Sequence, residues 1–262
     1  MIPAAYIREW RNLVPWQETD MIELDLVLSR ALAEIYNDSY LAENLAFRGG
    51  TAIHKLFFNP QRRYSEDIDL VQVKSMPIKE IISRLQKRLT FMGVPYIKQK
   101  ANNNTVVFKF NSESTPDVVL KLKIEINCRE HFSVYGAKEM EFVVDSSWFK
   151  GKCILKTYFI DELLGIKLRA LYQRRKGRDL YDLYVGLRNT DADSIRIVEC
   201  YREYMKFAVP RPPTRKQFLR NMEEKIRDDE FLGDTKSLLR PEKRYDPNLA
   251  WEMVRKELVE RI

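Results

Sequence analysis

The chain has 262 residues, 45% hydrophobic and 32% charged, with 9 Gly and 11 Pro, a composition that describes a globular, largely helical protein with room for one large domain or two modest ones. No uncharged apolar run approaches the roughly 20 residues that span a bilayer, and Arg8, Glu9 and Arg11 interrupt the place where a secretory signal needs its apolar segment, so a cytoplasmic protein with no membrane contact is expected. The net charge of +7 is uneven: residues 1–150 hold 20 basic and 19 acidic side chains (+1), residues 151–262 hold 25 and 19 (+6), and residues 151–189 alone hold 9 and 4 (+5). Such a segment suits a polyanion partner, although many basic proteins bind no nucleic acid. Cys128, Cys153 and Cys200 are scattered and odd in number, and His54 and His131 are the whole histidine complement, which excludes a disulfide framework, a zinc knuckle and a histidine-rich metal site.

In chain order, Leu24, Val27, Leu28, Ala31, Leu32 and Ile35 recur at helical spacing, with Asp20 and Glu23 resembling a capping box at the start. A short strand "LAFR" leads into a turn at Gly49 and Gly50, a short helix near "TAIHKLFF", and a strand "DIDL". A helix is predicted from about Pro77 to Phe91, and "VPYIKQK" and "TVVFKF", separated by "ANNN", read as a hairpin. "VVLKLKIEIN" is the clearest strand, with Leu120, Leu122, Ile124 and Ile126 on one face and Lys121, Lys123, Glu125 and Asn127 on the other. From about Ile160 helical periodicity takes over. Leu164, Leu168 and Leu171 form one stripe, "RRKG" ends that helix with Gly177 suited to a left-handed position, and Leu180, Leu183, Tyr184 and Leu187 form the next stripe. The expectation is an α+β protein, with a mixed α/β domain over residues 1–155 and an α-helical domain over residues 156–262.

The chemistry concentrates in a few of these elements. Paired glycines let a ligand reach main-chain N–H groups, and phosphates are common ligands of such turns. In an extended strand Asp67 and Asp69 share a face, and two carboxylates so close repel each other unless a cation lies between them. A phosphate-binding turn with a carboxylate pair for Mg²⁺ is the minimum kit for phosphoryl or nucleotidyl transfer. If the strand bearing Glu125 lies alongside, a third carboxylate joins them, enough for two Mg²⁺ ions; the plain alternative is a solvated face on which Glu125 pairs with Lys121 or Lys123. Lys167 lies beside its apolar stripe and Asp179 and Asp182 share a polar face, with a solvated lysine and, for Asp179, a helix N-terminal acid as the ordinary reading. One turn gathers Arg174, Arg175, Lys176 and Arg178. Ser65 stands two residues before Asp67, where a phosphoryl group would compete with a triphosphate, against the plain reading of a turn serine. His54 reads as a core or boundary histidine, His131 lacks a partner at ligand spacing, and Trp10, Trp16, Tyr201, Tyr204 and Phe207 read as core aromatics.

"RGGTAIHKL", "RYSEDIDL", "KLKIEI" and "LLGIKLRALYQRRKGRDLYDLY", within Leu45–Leu187, together resemble the AbiEii/AbiGii type of bacterial toxin in the nucleotidyltransferase superfamily shared with DNA polymerase β. One departure is the spacing of 16 residues between Gly50 and Asp67, long for the superfamily. The resemblance implies a nucleotidyltransferase-like mixed sheet flanked by helices, and transfer of a nucleoside monophosphate from an NTP with release of pyrophosphate. It implies that Gly49, Gly50 and Thr51 meet the triphosphate and that Asp67, Asp69 and Glu125 hold Mg²⁺; Ser65 joins the nucleotide site by its position two residues before Asp67. Lys167 would neutralise phosphate charge, and Asp179 or Asp182 would be the downstream acid. The C-terminal half would complete the active site, and RNA, with the tRNA 3′ end as favoured acceptor, would contact Arg174, Arg175, Lys176 and Arg178. A cognate antitoxin and a role in phage defence follow from the same resemblance. Two alternatives stay open: an antibiotic-modifying nucleotidyltransferase, and an inactive RNA- or antitoxin-binding module.

Overall fold

Apolar residues at every second position of "DIDLVQ" and "VLKLKIEIN" require a covered sheet face, and the helical stripe of residues 19–36 is long enough to cover it. The computed structural model describes residues 2–240 and 244–262, and divides into two units, Met1–Phe132 with Gly136–Tyr158, and Ser133–Tyr135 with Phe159–Ile262.

The first unit is built on a five-stranded mixed sheet. Its helices are α1 (Ala4–Trp10), α2 (Thr19–Tyr36), α3 (Ser39–Asn44), α4 (Gly49–Leu56) and α5 (Ile78–Arg88), and its sheet strands are β1 (Leu45–Arg48), β2 (Asp67–Gln72), β3 (Tyr96–Lys98), β4 (Asn103–Asn111) and β5 (Val119–Asn127). The strand order is β1-β2-β5-β4-β3, with β2 and β5 parallel and the other neighbours antiparallel. Ile68 and Leu70 of β2 and Leu122, Ile124 and Ile126 of β5 are buried, while Asp67, Asp69, Lys123 and Glu125 are half-buried. A separate antiparallel hairpin, β6 (Ala137–Asp145) and β7 (Lys150–Tyr158), completes the unit. Thr157 of β7 donates to the Phe47 carbonyl of β1 at 2.6 Å, and the turn of the hairpin is pinned through Arg30, whose guanidinium lies 4.0, 4.6 and 5.0 Å from the rings of Phe91, Trp148 and Phe149.

A buried carboxylate is costly unless its charge and lone pairs are met, and Asp25 of α2, 1% exposed, is met four times. The indoles of Trp10 and Trp16 donate to it at 3.0 and 3.2 Å, Gln61 at 3.2 Å, and the Lys55 ammonium of α4 at 3.0 Å. Burial alone pushes the Asp25 carboxyl up, but Lys55 and the two indoles outweigh it and hold it below the usual range. One side chain thus ties α1, α2, α4 and the segments carrying Trp16 and Gln61.

The described part of the second unit contains α6 (Ile160–Gln173), α7 (Gly177–Asn189), α8 (Ser194–Ala208), α9 (Arg215–Lys225), α10 (Asp229–Gly233) and α11 (Pro247–Glu257). Its core includes Leu164, Leu168 and Leu171 of α6, Leu180 and Leu183 of α7, and Tyr201 and Tyr204 of α8. Glu162, fully buried, accepts from Ser133 Oγ, the N–H groups of Val134 and Tyr135, and Tyr204 Oη, and so holds the segment 133–135 within this unit.

Several sequence expectations are corrected. Asp20 and Glu23 form no capping box: Glu18 is the N-cap of α2 without a side-chain bond, and Glu23 is buried, accepting from Ser112 Oγ and the Glu113 N–H. Gly177 is not left-handed; it begins α7, and a Cβ there would lie 2.1 Å from the Phe231 carbonyl oxygen, so close backbone approach is what demands glycine. The fifth helix ends at Arg88 and is followed by a 3-10 turn at Thr90–Met92, with Pro77 at its N-cap. Phe207 is 39% exposed rather than core. The hairpin of β6 and β7 has no counterpart in the sequence reading, because most of its side chains are at least half-exposed and leave only a weak apolar alternation.

Candidate active site

The first unit packs the backbone of Gly49 directly against the Asp69 side chain. Gly49 opens α4 with φ of +79°, and a Cβ there would stand 2.1 Å from Asp69 Oδ2. Both the positive φ and the missing space select glycine, and the bare backbone lies against a carboxylate. Arg48, the N-cap of α4, makes no side-chain capping bond to the first turn. Thr51, 1% exposed, bonds the Asp67 carbonyl at 2.5 Å and shares a 2.6 Å hydroxyl contact with Ser65. The Thr51 hydroxyl thus fastens the glycine turn to the start of β2, and Ser65 is part of the same clasp.

On the sheet, the parallel register sets Asp69 beside Glu125 and Asp67 beside Lys123. Lys123 Nζ lies 3.4 Å from Asp67 Oδ2 and 2.7 Å from Glu125 Oε1. Burial pushes the Asp67 carboxyl up; Lys123 opposes this, Glu66 and Glu125 add repulsion, and the balance stays above the ordinary value. Lys123 is itself raised, because its bonds to Glu125 and Asp67 outweigh the burial that would lower it. Glu125 therefore does pair with Lys123, the plain alternative read from the strand face, while also standing next to Asp69. Sequence reading assigns Lys123 no role of its own, although the alternation of "KLKIEIN" already puts it on the face of Glu125.

The second unit holds the other acids. Lys167 Nζ lies 3.0 Å from Asp179 Oδ1 and 2.8 Å from Asp182 Oδ2, with both carboxylates fully buried. Arg174 binds Asp179 in bidentate fashion at 2.6 and 2.8 Å. Burial works against ionised Asp179, but Lys167 and Arg174 prevail and hold its carboxyl low. Lys167, 6% exposed, is no solvated lysine; Asp179 does lie in the first turn of α7, but it and Asp182 are fully buried. Lys225, 2% exposed, donates to the carbonyls of Leu171 and Tyr172 at the end of α6, and burial brings its pKa down to about 8. Nothing in the helical spacing marks it.

The basic turn is electrostatically matched within its own unit. Arg174 is engaged by Asp179, Arg175 lies 2.9 Å from Asp228, Lys176 lies 3.6 Å from both Glu230 and Asp234, and Arg178 lies 3.8 Å from Asp234. The four cations are together, as the sequence places them, but not bare. His54 is fully buried with its ring 5.3 Å from that of Phe58, and His131 Nδ1 lies 2.9 Å from the Gln72 carbonyl.

The family model of the nucleotidyl transferase AbiEii toxins, assigned to type IV toxin–antitoxin systems, matches residues 30–254. The chain belongs to the AbiEii family. It is accordingly a nucleotidyltransferase of a toxin family. Solved structures share its fold: MenT4, a nucleotidyltransferase toxin from Mycobacterium tuberculosis H37Rv, is similar with a TM-score of 0.71 at 16% identity, over 100% of this chain and 91% of that one. JHP933 from Helicobacter pylori is similar with a TM-score of 0.58 at 14% identity, over 94% of this chain and 96% of that one. A putative nucleotidyltransferase from H. pylori is similar with a TM-score of 0.53 at 13% identity, over 94% and 99% of the two chains. No curated protein matches the chain. Among the described residues, no helix of this AbiEii protein is long and apolar enough to cross a membrane.

The residues present suit a hard divalent cation. Asp67, Asp69 and Glu125 are all oxygen donors on adjoining strands, and Gly49 leaves Asp69 backed by bare main chain. Among the described residues no three acids, cysteines or histidines converge tightly enough to form a ready-made metal cage, and between Asp67 and Glu125 the compensating charge is the Lys123 ammonium.

Proposed function

We propose that this AbiEii protein transfers a nucleoside monophosphate from an NTP to an RNA acceptor, the tRNA 3′ end, in an Mg²⁺-dependent reaction that releases pyrophosphate. The observation that carries this reading is the parallel register of β2 and β5, which sets Glu125 beside Asp69 on adjoining strands, with Asp67 two residues away on β2. Mg²⁺ bound there would supply Lewis-acid activation of the acceptor hydroxyl and neutralise triphosphate charge. The chain's own contributions are positional. Gly49 and Gly50 bring bare backbone at the start of α4 to the phosphate oxygens, and the clasp of Thr51, Ser65 and the Asp67 carbonyl fixes that turn against β2. Lys167, with Asp179 and Asp182, supplies a cation held in one orientation by two buried carboxylates, suited to meeting phosphate charge, and either acid serves as the downstream one. Arg175, Lys176 and Arg178 meet the RNA backbone by exchanging their carboxylate partners for phosphates. The protein acts in the cytoplasm, with a cognate antitoxin limiting its effect, in phage defence.

The test is to incubate the purified protein with each labelled NTP, Mg²⁺ and total tRNA, and to follow the label. Label in the tRNA band with one NTP supports the reading; label that enters only an added aminoglycoside, or no acceptor at all, removes it.

Control at Ser65 follows from the same clasp. A phosphoryl group on a hydroxyl 2.6 Å from Thr51 Oγ1 breaks that contact and adds negative charge two residues from Asp67. Ser65→Asp is expected to lower transfer by about ten-fold or more and Ser65→Ala to retain most of it. Wild-type rates in the aspartate variant would end the idea.

A further inference from the structure

We propose that Lys123 is the resident counter-cation of the acid face and competes with divalent metal for Asp67 and Glu125, so that the free ion binds weakly by construction. The inference rests on reading Asp67, Asp69 and Glu125 as metal-binding carboxylates.

Lys123 and Glu125 are two residues apart on β5 and so point to the same side of the sheet, while the register puts Lys123 next to Asp67 on the neighbouring strand. The ammonium thereby reaches one carboxylate on each strand, at 3.4 Å on β2 and 2.7 Å on β5. A carboxylate oxygen given to an ammonium is not available in the same geometry to a metal ion, and a cation of charge two placed a few ångströms from a fixed positive charge is repelled by it. For the metal to enter, Lys123 must give up both partners at once. Its side chain is 27% exposed on a flexible four-carbon stem, so it can move, but without nucleotide it exchanges two ionic partners for water alone. A triphosphate supplies acceptors for the displaced ammonium, which makes metal entry favourable when nucleotide is present. The site thus has a cation of its own that holds β2 and β5 together across the acids and yields its place only in exchange.

An ordinary strand-face salt bridge would have a different consequence: its removal leaves metal affinity unchanged or lowers it by loosening the strands. The experiment titrates Mn²⁺ alone, without nucleotide, into wild type, Lys123→Met, Lys123→Gln, Lys123→Arg and Asp69→Asn, following free Mn²⁺ by its paramagnetic resonance signal. The neutral variants are expected to bind Mn²⁺ about ten-fold more tightly than wild type, with Lys123→Arg remaining weak, since it keeps the charge. Two neutral variants are used so that the result does not depend on the packing of either, and circular dichroism melts establish that each is folded. Equal or weaker Mn²⁺ binding by both neutral variants, with Asp69→Asn still lowering affinity, overturns the role of Lys123 and leaves the metal site standing. Mn²⁺ affinity that is indifferent to Asp69→Asn overturns both.

Discussion

Asp69→Asn is expected to lower nucleotide transfer by about 10³-fold or more while leaving affinity for RNA unchanged or slightly raised. The amide is nearly the size of the carboxylate, so packing against Gly49, where there is no room even for a Cβ, is preserved. What disappears is one negative charge and one anionic donor beside Glu125. A companion variant separates binding from chemistry: Arg175→Gln with Lys176→Gln should weaken RNA binding and flatten its salt dependence by up to about one unit of slope for each phosphate left without its cation. Arg174 is left intact because it grips Asp179 in bidentate fashion, and its removal would disturb an acid implicated in the chemistry. The measurements are transfer rate and RNA affinity at several salt concentrations. Wild-type transfer by Asp69→Asn would dismiss the metal site; an unchanged affinity and salt slope in the double variant would move the RNA surface elsewhere.

Asp25→Ala should produce the largest loss of stability, about 3–5 kcal/mol, because it leaves the Lys55 ammonium buried without its counter-charge and strips two indoles and an amide of their acceptor. Asp25→Asn should cost less, since its one carbonyl oxygen, placed at Oδ2, still accepts from Trp16, Gln61 and Lys55, although its NH2 then faces the Trp10 indole that bonds Oδ1. Urea unfolding of the two variants beside wild type reads the difference. A loss below about 1 kcal/mol for Asp25→Ala would mean that the hub relaxes or hydrates, and that the four donors do not depend on it.

The parts of the molecule legible in the sequence are those where a period and a chemical requirement coincide. "DIDL" and "KLKIEIN" alternate strictly, and the buried and half-buried residues of β2 and β5 follow that alternation. That these strands are neighbours, and parallel, is no more than a condition at the level of sequence, since pairing over so long a separation leaves no local mark. Lys123 gives no signal because a lysine on a charged strand face is ordinary, and only its two distances make it otherwise. The basic turn is plain in the sequence, but its compensation by Asp228, Glu230 and Asp234 comes from residues some fifty positions later, which periodicity cannot connect. The burial of Lys167, Asp179 and Asp182 is likewise invisible: three polar residues on a helical polar face look solvated until other elements cover them.

The parallel pairing of β2 with β5 also bears on when the acid face comes into being. Asp69 and Glu125 are register neighbours separated by 56 positions in the chain, with α5, β3 and β4 formed in between. Closing so long a loop is entropically slow, and parallel strands joined by a long excursion pair late relative to local helices and hairpins. A growing chain therefore carries Gly49, Asp67 and Asp69 well before it has Lys123 or Glu125 to set beside them. During synthesis the glycine turn and its aspartates have β1 for a neighbour but not yet β5, and the acid face takes shape only with the closure of the sheet.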